Sequence, residues 1–233
     1  MIKRLVNYLL LKLGKKNHSL DENISVSNII FILFHRFIAL LRGLVFKIFF
    51  KKSGITFISR HTKLRNCNHI SLGNIVTIEE RVSINGLTKQ GIHIGNNVTL
   101  KEGVIIDSGL INNIGEGLFV GDNVGISQNC FLQASGKLSI GNNVIIGPGT
   151  KIFTENHNFD DLNSFINTQG VKRADVSIES GAWIGSNVVV LMGVTIGTGS
   201  IVAAGSVVNK DIEANTIYGG IPARKISTRI RNS

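Results

Sequence analysis

Ile94-Gly95-Asn96-Asn97-Val98-Thr99-Leu100-Lys101-Glu102-Gly103-Val104-Ile105-Ile106 carries an aliphatic side chain at every sixth position, at 94, 100 and 106. The beat restarts at Ile114, Val120, Ile126 and Leu132, again at Ile140, Ile146 and Ile152, and returns through Ile184, Val190, Ile196, Val202 and Val208. A helix repeats every ~3.6 residues and a strand every two, so neither produces this spacing. Short strands with a corner after each one do. Internal repetition of this kind builds a solenoid.

The residues between the beats describe the corners. Gly commonly follows the aliphatic residue and Asn often comes next, as in Ile94-Gly95-Asn96-Asn97-Val98 and Ile140-Gly141-Asn142-Asn143-Val144. Both residue types tolerate turn conformations, so their regular return marks corners and not chemistry. Two residues before the beat stand small side chains, among them Val124, Cys130, Val144, Thr150, Ser200 and Ser206, suited to a narrow shared interior. Three such faces close a triangular coil.

This pattern, over residues 55 to 226, resembles the hexapeptide-repeat acyltransferases. The resemblance implies an all-β fold, a left-handed parallel β-helix. The hand comes from the resemblance alone, because the right-handed crossover rule would give the opposite. The expected organisation is a basic, apolar helical segment over 1–52, the β-helix over 53–210 with an inserted loop at 153–177, and a short C-terminal segment over 211–233.

Of 25 Lys and Arg residues, ten lie in the first 52 positions, opposed there only by Asp21 and Glu22, so most of the net +10 is local. The repeats lack the cation face with interleaved aromatics of a nucleic-acid binder, and no nucleic-acid partner is expected. Cys67 and Cys130 offer neither a disulfide framework nor metal spacing. No metal is expected. The six histidines, His18, His35, His61, His69, His93 and His157, include no pair five residues apart, as the zinc site of a β-helical carbonic anhydrase would need.

Lys12, Lys15 and Lys16 interrupt the N-terminus where a cleaved leader would be apolar, which points to the cytoplasm. Residues 24 to 50 are strongly apolar, but His35, Arg36, Arg42 and Lys47 break any long uncharged span. At 100° per residue these four fall on one arc with Ser25, Asn28 and Gly43, intruded on by Ile32 and Ala39. Phe31, Phe34, Ile38, Leu41, Val45 and Phe49 occupy the other side, and Lys51 and Lys52 follow. Such a helix suits an anionic membrane surface on the inner face of the cytoplasmic membrane. A cap on the open end of the coil is the alternative.

Between Ile152 and Ile184 the beat fails, and the gap opens Phe153-Thr154-Glu155-Asn156-His157-Asn158-Phe159-Asp160-Asp161. Histidine is the side chain best poised to take a proton near neutral pH. Its place directly after Gly147-Pro148-Gly149-Thr150-Lys151-Ile152 resembles that of the catalytic His in sugar and xenobiotic O-acetyltransferases. The resemblance implies that His157 deprotonates an acceptor hydroxyl as it attacks the thioester of acetyl-coenzyme A, with no covalent enzyme intermediate. Asn129-Cys130 matches a family Asn that binds the acceptor or the oxyanion, although a plain corner Asn is the other reading of Asn129. Where maltose-type enzymes carry an Asp five residues on, Ala134 stands here, which argues against maltose or a galactoside as acceptor.

The last run contains Ala182-Trp183-Ile184-Gly185-Ser186, then Ala203-Ala204-Gly205-Ser206-Val207-Val208-Asn209-Lys210-Asp211, and ends Tyr218-Gly219-Gly220-Ile221-Pro222-Ala223-Arg224-Lys225-Ile226. By resemblance Trp183, Ser186, Ala204 and Asn209 line the pantetheine groove, with a core role for Trp183 as the alternative. Lys210 and Arg224 meet the coenzyme phosphates. The function so implied is acetyl-coenzyme A-dependent O-acetylation of a sugar hydroxyl in cell-envelope polysaccharide synthesis, by a homotrimer with its sites between subunits. N-acetylation of an amino sugar, and a non-catalytic β-helix scaffold, stand as alternatives.

Overall fold

A computed structural model of the chain describes Tyr8, Leu20, Asp21 and residues 23–229, so Lys12, Lys15 and Lys16 lie outside the described residues. From Lys52 onward the chain winds through three parallel sheets in strict rotation, a three-faced β-helix. The first face stacks Lys52–Ser53, Ile70–Leu72, Ile92–Ile94, Gly117–Val120, Lys137–Ile140, Val176–Ile178 and Thr195–Ile196. The second runs from Thr56–Ile58 through Val76–Ile78, Thr99–Leu100, Gly125–Ile126, Ile145–Ile146 and Trp183–Ile184 to Ile201–Val202 and Thr216–Gly219. The third runs from Lys63–Arg65 to Val207–Val208. Parallel strands ordinarily need a long crossover. Here consecutive strands join different faces, so a short corner is enough.

The register explains the six-residue beat. Ile126, Ile146, Ile184 and Val202 oppose one another in sequence, and their side chains all point inward and are buried. Every beat residue named above is buried except Ile114, which belongs to a small antiparallel hairpin, Gly109–Leu110 with Asn113–Ile114, that leaves the coil. The core also starts earlier than Ile94: Leu72, Ile78 and Ile84 keep the same spacing and are fully buried. The small positions Val124, Cys130, Val144, Thr150, Ser200 and Ser206 are buried, as the narrow interior requires.

Corner glycine and asparagine prove to have different duties. Asn97 and Asn143 take left-handed φ of 53° and 57°. Gly95 does not; a Cβ there would meet the Gly121 carbonyl oxygen of the next coil at 2.6 Å, so the coils stack too closely for a side chain.

Val176–Ile178 already pairs with Lys137–Ile140, so the inserted loop ends before Val176. Residues 211–229, expected to form a separate segment, instead extend the second face through Thr216–Gly219 and the antiparallel strand Arg224–Thr228.

Helix α1, Val26–Phe46, is capped by the Ser25 hydroxyl, which accepts from the Asn28 amide. It lies across the outside of the second face. Ala39 and Gly43 are buried there, and a side chain at Gly43 would collide with the Thr56 carbonyl. Arg36 donates to Thr77 Oγ1 at 3.1 Å and covers the Phe57 ring at 5.5 Å. The mixed arc of Arg36, Ala39 and Gly43 therefore faces the protein, and the apolar face, with Phe34, Phe37, Leu41, Leu44 and Val45, is exposed. Phe50, just beyond the helix, joins the coil's core at its N-terminal end. By length and composition Val26–Phe49 could cross a membrane, but doing so would break the Arg36, Ala39 and Gly43 contacts.

Candidate active site

Gln133 ends the third-face strand Phe131–Gln133, and its side chain governs where the insertion leaves the coil. Its Oε1 accepts from the Thr154 and Glu155 amides at 3.0 and 3.1 Å, while Thr154 Oγ1 donates to the Gln133 carbonyl at 3.0 Å. Thr154 Oγ1 also accepts from the Gly136 amide at 2.9 Å. Backbone groups that would be orphaned at the exit are thus satisfied by side chains.

Beyond this point Glu155–His157 pairs antiparallel with Val171–Arg173, placing His157 opposite Val171. The ribbon is tied down by Arg173, whose Nε meets Glu155 Oε2 at 2.7 Å. The same guanidinium donates to the Ile114 and Asn113 carbonyls of the hairpin at 3.0 and 2.9 Å. Gln133, Glu155 and Arg173 were not singled out from sequence; the failing beat marks the loop but not what anchors it.

His157 is exposed and lines a pocket of about 520 Å³ with Gln133, Phe153, Glu155, Asn156, Leu191, Met192 and Asn209. Phe153, Leu191 and Met192 make one wall apolar. The His157 amide donates to Asn156 Oδ1 at 3.0 Å, and its imidazole has no hydrogen-bond partner among the described residues, leaving it open to a ligand. Asp161 is engaged within the loop, where the Ser164 hydroxyl and the Asn163 amide donate to its carboxyl and hold it below the usual carboxylate range. Cys130 is buried inside the coil, where burial pushes its thiol up and its Sγ donates to the Gly147 carbonyl at 3.2 Å.

Of the other candidates, Asn209 alone shares this pocket. Lys210 follows it, exposed. Ser186 and Ala204 lie in successive corners between the second and third faces, where the Gly205 amide donates to the Ser186 carbonyl at 2.8 Å. Ala204 is thus separated from Asn209 by the width of the third face, at most about 18 Å of extended chain. Asn129 occupies the same corner column, in a left-handed φ of 56° with its carboxamide oxygen against Gly103. Trp183 is not a core residue; it is 51% exposed on the outer second face, beside Ile145 and Ile201. Arg224 opens the last strand, its Nη1 donating to the Ala223 carbonyl at 3.0 Å. Lys225 is engaged by Glu213 at 2.6 Å, which holds the Glu213 carboxyl low and raises the lysine.

Fold and repeat together define a hexapeptide-repeat β-helix, and residues 175–210 match the family described as bacterial transferase hexapeptide (six repeats). The chain is 30% identical over 129 residues to the galactoside O-acetyltransferase of Escherichia coli, covering 55% of this chain and 62% of that one. It is 40% identical over 99 residues to a provisionally named acetyltransferase of Schizosaccharomyces pombe, covering 42% of this chain and 46% of that relative. The chain therefore spans between about half and three fifths of these relatives' lengths. Among solved structures it resembles a mutant of the N-acyltransferase AntD of Bacillus cereus, in complex with dTDP and coenzyme A. The TM-score is 0.56 at 23% identity, over 82% of this chain and 90% of that one, a likeness of fold.

Proposed function

We propose that the protein is an acetyl-coenzyme A-dependent O-acetyltransferase acting on a sugar hydroxyl of a cell-envelope polysaccharide or its precursor, with His157 as general base. The observation that carries this reading is the pocket shared by His157, from the inserted ribbon, and Asn209, from the last repeat run. An imidazole free of other partners beside a groove-lining segment is what direct transfer requires: the base takes the hydroxyl proton while the oxygen attacks the thioester. A buried Cys130 thiol held in its neutral form supports transfer without an acyl-cysteine. The acceptor and its reacting group are tested by acetyl-coenzyme A turnover on a panel of sugars, amino sugars and nucleotide sugars. O-acetylated product supports the reading; turnover confined to amines replaces it with N-acetylation.

Ser186, Ala204, Asn209, Lys210 and Arg224 suit a long thin donor laid along the third face, with its phosphates at the cations. Lys210→Ala and Arg224→Ala are expected to raise KM for acetyl-coenzyme A several-fold, and less so for a donor lacking the 3′-phosphate. Equal losses with both donors would remove the two cations from the phosphate site. The inserted loop exposes Leu162 and Phe165, which supports a homotrimer in which that loop meets a neighbouring copy.

The apolar face of α1, followed by Lys47, Lys51 and Lys52, supports peripheral attachment of a cytoplasmic enzyme to anionic lipid. Phe37→Glu with Leu41→Glu alters only exposed positions. It is expected to abolish sedimentation with phosphatidylglycerol vesicles while leaving the secondary structure intact. Unchanged sedimentation would exclude this face as the anchor.

A further inference from the structure

We infer that Arg173 is a positioning residue that sets the catalytic geometry of His157 by locking the inserted ribbon to the neighbouring hairpin. The inference rests on the proposed role of His157. It starts from the use made of one guanidinium, which pairs through Nε with Glu155 at 2.7 Å and spends Nη1 and Nη2 on the Ile114 and Asn113 carbonyls. The two paired side chains are 19% and 20% exposed, so water and salt screen them less than they would a surface pair. Along a strand, residues two apart share a side, so Glu155 and His157 point together, and both line the pocket. A displacement of Glu155 therefore carries His157 with it.

No other contact of this ribbon does the same work. Gln133 holds the ribbon's root to the coil through the Thr154 and Glu155 amides, and the backbone ladder joins its two strands, but neither ties the ribbon to the hairpin. By hydrogen bonds, Arg173 alone among the described residues connects it to the hairpin. A lysine could keep the ion pair but, with a single nitrogen on a flexible stem, could not also hold both carbonyls.

The test joins kinetics to hydrogen exchange on the full chain. Arg173→Ala is expected to lower kcat at least tenfold while leaving KM for acetyl-coenzyme A within twofold, since misplacing a base acts on the chemical step. Arg173→Lys should fall between that variant and the wild type. In a His157→Ala background, Arg173→Ala should cost less than twofold, because its effect passes through the imidazole. An equal loss in both backgrounds, or a loss carried by KM, overturns the inference.

Amides of residues 155–157 and 171–173 should exchange at least tenfold faster in Arg173→Ala, with those of Ile146 and Ile184 unchanged. Unaltered ribbon protection, or faster exchange throughout the coil, overturns it as well. If His157→Ala itself stays active, the proposed mechanism fails, while the exchange result still decides whether Arg173 holds the ribbon.

Discussion

His157→Ala is expected to lower turnover about a hundredfold or more while leaving the fold and the affinity for coenzyme A nearly unchanged. General-base catalysis contributes about 10²–10⁴ in rate, and removing the base takes away an interaction made only in the transition state. The structure makes this a clean experiment. His157 is exposed, and the alignment of its ribbon depends on Gln133, Thr154 and Arg173 rather than on the imidazole. Steady-state rates with acetyl-coenzyme A, alongside calorimetric affinity for coenzyme A, check both halves. Activity within threefold of wild type would take His157 out of the mechanism.

The second large effect contrasts two adjacent residues. Ile184 is fully buried between Ile146 and Val202 of the coils above and below, whereas Trp183 points outward from the same strand. Ile184→Ala should cost about 2–5 kcal/mol, the transfer term plus a cavity that the stacked strands above and below cannot collapse to fill. That would appear as a large fall in the urea midpoint. Trp183→Ala should change stability by about 0.5 kcal/mol or less. If Trp183 contacts the donor, its loss instead raises KM for acetyl-coenzyme A. Comparable losses of stability for the two variants would contradict the inward and outward assignment of this strand.

The helix shows how far a pattern reaches before packing must decide. Its mixed arc and its apolar face are both legible in the residues 24 to 50. Which of them turns to the protein is not. Hydrophobicity alone favours burying Phe34, Phe37 and Leu41, yet the outer second face offers a flat sheet that needs close approach. Ala39 and Gly43 permit that approach, and Arg36 finds Thr77 and the Phe57 ring there. The apolar face is left for another surface.

Ile114 marks the same limit at one residue. It keeps the six-residue phase by coincidence, because the hairpin that carries it has roughly the length of a coil corner and strand. Only the antiparallel pairing of Asn113–Ile114 with Gly109–Leu110 separates it from the core. The loop boundary shifted for the opposite reason: Ile178 stands six residues before Ile184 and keeps the beat, and its burial and its pairing with Ile140 show the coil resuming at Val176–Ile178.

Local, periodic information in the chain determined the three-faced coil, its corners, its small interior positions and the place where the coil is interrupted. These follow from nearest-neighbour packing repeated at a fixed interval, so each repeat states the rule again. The tertiary structure alone decided which candidates meet. It brought His157 and Asn209, 52 positions apart, into one pocket and left Ser186 and Ala204 across the third face. It also gave Arg173 a partner on each of two separate excursions. Those pairings join residues in different coils and loops, and no periodicity encodes them; they depend on the stacking distance of the coils and on where side chains satisfy the backbone at each exit.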